Sequence, residues 1–143
     1  MICIDSNVWI YYLDATTSEH DCVKRPMREA LGERRIFMNV VVPLEVTHHL
    51  VKRREGNEAF VHRFLELTSV TAESLDVALV QRAHELLCEH PHTGTGGRDA
   101  SLVAAMERRG VDELWTHDTG LERLGERLDW LTITDPAEQA PDE

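Results

Sequence analysis

ICIDSNVWI, residues 2–10, places a short apolar run directly before a carboxylate, a hydroxyl and an amide. Ile2–Ile4 is too brief for a helix and too unbroken for a half-exposed strand, so we predict a strand that is buried on both faces. Asp5 then lies where this strand leaves the core, and a helix is expected from Val8 onward. The start of the chain therefore predicts an α/β fold whose first polar turn lies at one edge of a sheet.

Apolar patterns along the rest of the chain alternate between strand and helix. Residues 23–31 have helical spacing with Gly32 as a stop signal, and Pro43 suits the first turn of a helix that would also carry Glu45 there. Strands separated by helices predict a three-layer α/β/α domain, with a central, mostly parallel sheet of four to five strands flanked by helices. Further strands are predicted at 36–41, within SVTAESL (69–75), DELWTHD (112–118) and WLTIT (130–134), and further helices at 8–13, at 57–67, at 78–87 after a cap near Thr71 or Ser74, and at 100–110.

One domain accounts for the folded part of the chain. The length of 143 residues suits a single core. The last nine residues, DPAEQAPDE, are acidic and contain proline. We therefore expect a domain over residues 1–135 and a frayed tail over 136–143.

The composition excludes binding of nucleic acid or anionic lipid by bulk attraction. Asp and Glu number 26 against 15 Lys and Arg, and the net charge of -11 means that any polyanion must meet local positive charge. Three cysteines without a CxxC pair argue against a disulfide framework or a zinc knuckle. No apolar run approaches the ~20 residues of a membrane span, and no signal peptide is recognisable. These features predict a cytoplasmic protein with no membrane association.

Four carboxylates stand at junctions between predicted elements. Asp5, Glu45 and Asp118 each follow a strand, and Asp99 begins the helix after the glycine-rich loop 90–97. In open parallel sheets, ligands bind outside the carboxyl ends of the strands, so acids that are far apart in sequence can converge there. Converging carboxylates repel one another and favour a hard divalent cation, Mg²⁺ or Mn²⁺, which prefers oxygen ligands. Such ions activate phosphodiesters and water, which indicates nuclease chemistry.

Five polar residues beside these acids fit the same chemistry. Three are hydroxyl or amide side chains that can orient a carboxylate or a metal-bound water. The other two are candidate contacts to a phosphate or to another part of a substrate. The hydroxyl and amide side chains are those of Ser6, Asn7 and Thr116. The candidate contacts are Arg98 for a phosphate and His117 for another part of the substrate.

The remaining basic residues give weaker signals. His48 and His49 are adjacent, so they face different sides of a helix, and no HExxH motif is present. Solvated or packed histidines are therefore favoured over a zinc site. The run VKRRE, residues 51–55, is compatible with phosphate binding, but a solvated end of a helix is the more frequent meaning of such a run.

The combined motifs resemble a PIN-domain nuclease, in particular the small VapC-type ribonuclease toxins of prokaryotic toxin–antitoxin pairs. The resemblance spans nearly the whole chain. It rests on the order and spacing of ICIDSNVWIYYLD (2–14), VVPLEV (41–46) and GGRDASLVAAMERRGVDELWTHD (96–118).

The resemblance implies a divalent-metal-dependent endoribonuclease, the toxin component of a type II toxin–antitoxin pair, with RNA as its substrate. It also implies a homodimer and a cognate antitoxin whose C-terminal segment enters the active-site groove. The cofactor would be Mg²⁺ or Mn²⁺. The implied metal and catalytic acids are Asp5, Glu45, Asp99 and Asp118, with Ser6, Asn7 and Thr116 as polar support.

One segment departs from the family pattern. The family often has Thr-Asn-Asp-x-Asp-Phe where this chain has THDTGL, residues 116–121. Asp118 is kept, whereas Gly120 replaces the second aspartate and His117 replaces the asparagine. The departure calls into question a second metal ion and full activity.

Each acid taken alone also has a structural interpretation. Asp5 and Asp99 suit helix N-caps, and Glu45 suits the positive end of a helix dipole. Their joint placement favours a site. Two other functions remain open: a catalytically weak or silent PIN-like module that binds RNA or a protein, and a housekeeping RNA-processing nuclease without an antitoxin.

Overall fold

The computed structural model describes residues 1–53, 58–66 and 70–138 of the chain. These ranges contain five strands and seven helices. The strands are β1 (Ile2–Ile4), β2 (Ile36–Asn39), β3 (Val70–Glu73), β4 (Glu113–Trp115) and β5 (Thr132–Thr134). The helices are α1 (Ser6–Leu13), α2 (His20–Glu33), α3 (Val41–Arg53), α4 (Glu58–Leu65), α5 (Val77–Glu89), α6 (Gly97–Arg109) and α7 (Thr119–Arg127).

The five strands form one parallel sheet in the order β3-β2-β1-β4-β5. β1 lies at the centre, where Cys3 is opposite Phe37 of β2 and Leu114 of β4. The chain adds β2 and β3 on one side of β1 and then crosses back to add β4 and β5 on the other side. The strand order therefore reverses between β1 and β4, and open α/β sheets bind ligands at such a switch point. The predicted three-layer α/β/α fold is confirmed.

The core lies around β1 and α6. Ile2, Cys3 and Ile4 are all 0% exposed, so β1 is buried on both faces as its sequence predicts. α6 is buried at every residue from 99 to 106, since it packs against both α5 and β2. The element that follows the glycine-rich loop is thus an internal helix. No helix among the described residues is both long and apolar enough to cross a bilayer.

Two helices differ from the prediction on either side of β2 and β3. α2 continues through Gly32, which is therefore no stop signal, and a Cβ at Gly32 would meet nothing within 4 Å. α5 begins at Val77 and is capped by Asp76 instead of by Thr71 or Ser74. The Asp76 carboxylate accepts the N–H of Leu79 at 2.9 Å, and the strand β3 takes up the residues where the cap was predicted.

The helices that carry acids also start earlier than predicted. α3 begins at Val41, so Glu45 lies in its second turn and not in its first. α6 begins at Gly97, so Asp99 lies inside its first turn. Gly96 has the extended backbone of an N-cap and leads directly into the helix. The end of α6 at Gly110 is as predicted, since φ there is +69°, the left-handed conformation that glycine adopts readily.

The C-terminal segment packs against the domain as far as it is described, since Pro136 is buried and Ala137 lies against the core. Residues 136–138 form a turn in which Asp135 accepts the N–H of Ala137 at 2.9 Å. The rest of the predicted tail, 139–143, lies outside the described residues. So do residues 54–55 of the basic run and residues 57 and 67, the two ends of the helix predicted at 57–67.

A buried acid joins the end of α1 to α3. The Asp14 carboxylate is 0% exposed and lies 2.9 Å from Nε2 of His49. It also accepts the backbone N–H of Thr16 at 3.0 Å and the Thr16 hydroxyl at 2.6 Å. Burial raises the pKa of Asp14, but the hydrogen bonds from Thr16 and His49 outweigh burial and lower it to about 2.

Replacing this acid should destabilise the fold. We expect Asp14→Ala to lower the free energy of unfolding at pH 7 by about 2 to 3 kcal/mol, because it removes a carboxylate whose pKa is depressed and leaves its donors unpaired. Since the folded pKa of about 2 lies below the ordinary value of 3.8, this stability is present above pH 3.8 and is lost as the pH falls toward 2. Urea denaturation of wild type and Asp14→Ala at pH 7 and near pH 2 measures the difference in the free energy of unfolding.

The matched control is Asp129→Ala, because Asp129 is exposed on the surface. A loss at pH 7 no larger than that of the control would contradict a stabilising role for Asp14.

Candidate functional site

Two hydrogen bonds fix the carboxylate of Asp5 at the switch point. Asp5 follows β1 and caps α1, where its Oδ1 accepts the backbone N–H of Ser6 at 2.8 Å. Its Oδ2 accepts the hydroxyl of Thr116, just after β4, at 2.9 Å. Asp5 is only 3% exposed, so water does not compete strongly with these bonds. The carboxylate is therefore held in one orientation across the two central strands.

Thr116 also positions Asp118. The Oγ1 atom that donates to Asp5 accepts the backbone N–H of Asp118 at 3.1 Å. Asp118 in turn caps α7, with its Oδ2 accepting the N–H of Leu121 at 2.9 Å. Thr116 was expected to support Asp118, and the structure adds that one buried hydroxyl serves both acids.

Asp99 is carried by a first turn of α6 that is tied to the sheet. The side-chain amide of Asn39, at the end of β2, donates to Oγ of Ser101 at 3.1 Å. The Ser101 hydroxyl donates to the carbonyl of Arg98 at 2.6 Å. Asn39 is 0% exposed, so this relay lies inside the domain. It fixes the backbone from which both Arg98 and Asp99 project.

The side chain of Arg98 connects Asp99 to Glu45. Its Nε and Nη2 donate to Oδ1 of Asp99 at 3.3 and 3.0 Å, and its Nη1 donates to Oε2 of Glu45. Because Glu45 belongs to α3, the guanidinium joins α3 and α6 across the site. The Arg98 side chain is 50% exposed and that of Asp99 only 10%, so the guanidinium lies on the solvent side of the buried acid.

A cavity of about 590 Å³ opens between these elements. Three of the four predicted acids line it, and the fourth, Asp99, is bonded to the lining residue Arg98. The lining residues are Asp5, Ser6, Asn7, Ile10, Leu44, Glu45, His48, Arg98 and Asp118.

The acids influence one another electrostatically. Burial raises the pKa of Asp5 to about 6, and the nearby charge of Asp99 adds to the increase. Burial also raises the pKa of Asp99; the Arg98 guanidinium lowers it in part, and Asp118 raises it further. Asp99 thus interacts with an acid on each side. The sequence prediction that these carboxylates converge agrees with this arrangement.

The donor set suits a hard divalent cation. All four acids offer carboxylate oxygens. A cation would relieve the repulsion among Asp5, Asp99 and Asp118. No three of the four acids, all of them among the described residues, have oxygens within 4.8 Å of one another. These four acids therefore do not form a closed protein cage, and Mg²⁺ or Mn²⁺ would be held here by a few carboxylates together with water.

The other predicted site residues divide into two groups. Ser6 and Asn7 line the cavity beside Asp5, and Oδ1 of Asn7 accepts the backbone N–H of His117 at 3.5 Å. The ring of His117 points elsewhere: its Nδ1 lies 2.7 Å from Oδ2 of Asp135, and its pKa is raised by that bond. His117 does not line the cavity, so its role as a substrate contact stays a prediction.

Sequence reasoning missed three residues of the cavity wall. Leu44 and His48 lie on the same face of α3 as Glu45, and Ile10 comes from α1. The signal was the helical spacing itself, because positions three and four residues apart share a helix face. The contact between Asn39 and Ser101 was not predicted either. An amide at the end of a buried strand signals such a contact, because a buried amide needs a hydrogen-bond partner.

A second acidic group lies beside α7 and the end of the chain. Glu122, Asp135 and Glu138 have ligand oxygens within 4.8 Å of one another. Burial raises the pKa of Glu122, and the charges of Glu138 and Asp135 raise it further. This group lines a separate cavity of about 340 Å³ and was not predicted from the sequence.

Gly120 occupies a position with no room for a side chain. A Cβ there would lie 2.9 Å from the carbonyl oxygen of Gly94 and 3.0 Å from Oδ2 of Asp118. The Thr95 hydroxyl donates to the Gly120 carbonyl at 3.1 Å, so the glycine-rich loop packs directly on the start of α7. The loop backbone thus excludes the aspartate that the family pattern often has at this position.

Comparison with known proteins gives matches along most of the chain. The sequence model of the PIN domain matches residues 2–127. Among curated proteins, the chain is 29% identical over 121 residues to "Ribonuclease VapC23" of Mycobacterium tuberculosis, which covers 82% of this chain and 93% of that protein.

Solved structures share the fold at low sequence identity. The crystal structure of VapC20 from Mycobacterium tuberculosis, described as a Sarcin-Ricin loop cleaving toxin, superposes with a TM-score of 0.69 at 21% identity, over 85% of this chain and 95% of that chain. VapBC2 from Rickettsia felis, bound to a DNA fragment from its promoter, gives 0.67 at 14% identity, over 94% of this chain and 98% of that chain.

The raised pKa of Asp5 predicts a cost to stability in the metal-free protein. The folded pKa of about 6 exceeds the ordinary 3.8, so the stabilising protonated form is lost as the pH rises through 6. In EDTA at pH 8, we expect Asp5→Asn to raise the free energy of unfolding by about 2 to 3 kcal/mol, with the gain disappearing below pH 4. Urea denaturation across this range measures it, with the exposed Asp112→Asn as control. A destabilised Asp5→Asn at pH 8 would contradict the prediction.

The contact between Gly120 and the glycine-rich loop predicts opposite effects at two glycines. We expect Gly120→Ala to lower the free energy of unfolding by about 1 to 3 kcal/mol, because the new Cβ must displace the Gly94 carbonyl. The matched control Gly32→Ala should raise it by about 0.5 to 1 kcal/mol, because Gly32 is inside α2 with open space around it. Thermal denaturation decides, and equal stability of wild type and Gly120→Ala would show that the loop is not tightly packed there.

Proposed function

Because this chain belongs to the PIN domain family, we propose that it is a divalent-metal-dependent endoribonuclease, the toxin component of a type II toxin–antitoxin pair. The observation that carries the proposal is the placement of Asp5 and Asp118 on the shared Thr116 hydroxyl at the switch point of a parallel sheet, with Asp99 bound to Arg98 beside the same cavity. Holding these ionised acids close together costs stability, and a bound divalent cation would offset their repulsion.

Each acid has a structural reason for its proposed role. Asp5 and Asp118 are oriented by Thr116, and Asp99 is set by the Asn39–Ser101 relay, so their carboxylates need little reordering to bind a cation. Glu45 reaches the same cavity from α3. Bound Mg²⁺ or Mn²⁺ would supply Lewis-acid activation of the phosphodiester and of the attacking water. Ser6 and Asn7, which line the cavity, are placed to hold that water or the substrate.

RNA binding by a chain with a net charge of -11 requires local compensation. The proposed cation would supply most of this local positive charge. Arg98 is the candidate phosphate contact within the chain, since it lines the cavity and its side chain is 50% exposed. Leu44 is 69% exposed beside it and offers apolar surface to a base or a partner.

The proposed partners follow from relatives that are toxin–antitoxin complexes. One solved structure that shares the fold is described as a toxin–antitoxin complex from Klebsiella pneumoniae, and VapBC from Salmonella typhimurium is described as bound to DNA. A cognate antitoxin, whose C-terminal segment would enter the cavity, and a second copy of this chain are therefore proposed partners. The proposed place of action is the cytoplasm.

One observation favours a second function. Gly120 stands where the family often has an aspartate, and Arg98 already neutralises Glu45 and Asp99. Both features would suit a silent module that binds RNA without cutting it. The assay below separates the two functions, because only the nuclease needs a metal to change the RNA.

Cleavage of total RNA tests the proposal. We expect the purified protein to cut RNA with Mg²⁺ or Mn²⁺ and EDTA to stop it. Asp99→Asn and Asp5→Asn should lower the rate by on the order of a hundredfold or more, because each removes a charge at the metal. The control Asp129→Asn removes an exposed charge and should leave the rate unchanged. Metal-independent cleavage, or undiminished cleavage by Asp99→Asn, would reject the metal-dependent nuclease with this site, and binding without cleavage would favour the silent module.

A further inference from the structure

Arg98 takes the place between two acids where a cation is expected to bind. Its guanidinium reaches Asp99 through Nε and Nη2 and reaches Glu45 through Nη1. Both N–H groups directed at Asp99 converge on the same atom, Oδ1. Oδ1 accepts two charge-assisted hydrogen bonds and is thereby engaged on the side that faces the guanidinium.

We propose that Arg98 competes with the divalent cation: it binds Glu45 and Asp99 in the metal-free protein and leaves both when the metal binds. The proposal rests on the metal site put forward above and concerns how that site is loaded. A guanidinium and a divalent cation repel each other at short range, and both draw on the charge of the same two carboxylates, so binding of one would weaken binding of the other.

The surroundings of Arg98 allow its side chain to leave while its backbone stays. The Arg98 carbonyl accepts the Ser101 hydroxyl at 2.6 Å, and the buried Asn39 holds Ser101. The side chain, by contrast, is 50% exposed and has several rotatable bonds. Rotation of the side chain toward water therefore moves the guanidinium without disturbing the turn that carries Asp99.

The exchange has a consequence for RNA. In the metal-free protein the guanidinium is paired with two carboxylates, so little of its charge is available to a phosphate. Once it is released, it remains next to the cavity that Asp5, Glu45 and Asp118 line. Metal binding would then present two positive groups to the substrate, the cation and the released Arg98. The affinity for RNA would therefore increase with metal by more than the charge of the cation alone explains.

Metal affinity provides the first test. Titration calorimetry with Mn²⁺ should show that Arg98→Gln binds the ion about tenfold more tightly than wild type, the size expected when a competing charge-assisted pair is removed. Arg98→Lys keeps the charge but loses the fork that spans both acids, so its affinity should lie between the two. The control Arg34→Gln removes an arginine that is paired with Glu113 and should change the affinity less than twofold.

The second test follows the side chain itself. In wild-type protein titrated with diamagnetic Mg²⁺, the Nε–Hε NMR signal of Arg98, assigned by its absence in Arg98→Lys, should shift with the same midpoint as metal binding. An Arg98 that merely positions Asp99 predicts the opposite in both tests: Arg98→Gln would bind Mn²⁺ more weakly, and the signal would stay in place at saturation.

The outcomes separate this proposal from the proposed function. If wild type binds Mn²⁺ and cuts RNA while Arg98→Gln binds the ion no more tightly, the competition is rejected and the nuclease stands. If neither protein binds Mn²⁺ at millimolar concentration and no metal-dependent cleavage occurs, both are rejected. Tighter binding by Arg98→Gln, together with a moving Arg98 signal, supports the competition even where cleavage is slow.

Discussion

The site depends on one buried hydroxyl at the point where the strand order of the sheet reverses. Thr116 donates to Asp5 after β1 and accepts from the backbone of Asp118 after β4. The register Ile4 opposite Trp115 brings these two segments side by side, so the residues that follow them meet without any further loop. Because Thr116 is 0% exposed, neither bond is exchanged with water. The positions of two of the acids are therefore a direct result of the pairing of the central strands.

The same burial that fixes the acids makes them unfavourable when ionised. Asp5 favours the neutral acid at any pH below about 6. The ionised form of Asp99 is disfavoured by burial and by the neighbouring charge of Asp118, and Asp5 lies on its other side. The fold offsets this cost with apolar packing, since β1 and most of α6 lie entirely in the core. It also offsets it locally with the Arg98 guanidinium. A stable scaffold that holds a locally unstable charge arrangement is the usual form of a binding site that awaits a ligand.

The sequence predicted the fold and the approximate place of the acids because both depend on local patterns. A three-residue apolar run with a carboxylate after it can be interpreted from strand burial alone, and a glycine after a helical pattern marked the end of α6 at Gly110, although the same signal failed at Gly32. Contacts between distant segments were not predictable in this way. The pairing of Arg98 with Glu45 spans 53 positions, and the relay from Asn39 to Ser101 spans 62. Helix starts were also misplaced, because Gly97 and Asp76 act through backbone geometry and capping that compete with several nearby alternatives.

The distribution of charge bears on the proposal that so acidic a chain binds RNA. Several arginines are already committed to stabilising helix contacts: Arg82 binds Glu107 of α6, and Arg109 binds Glu73 at the end of β3. Glu122 faces the separate acidic group at Asp135 and does not add to the charge of the cavity. Gly120 removes one further acid that the family pattern often has near Asp118. The negative charge at the cavity is thereby limited to four carboxylates, few enough for one divalent cation and one released guanidinium to offset most of it.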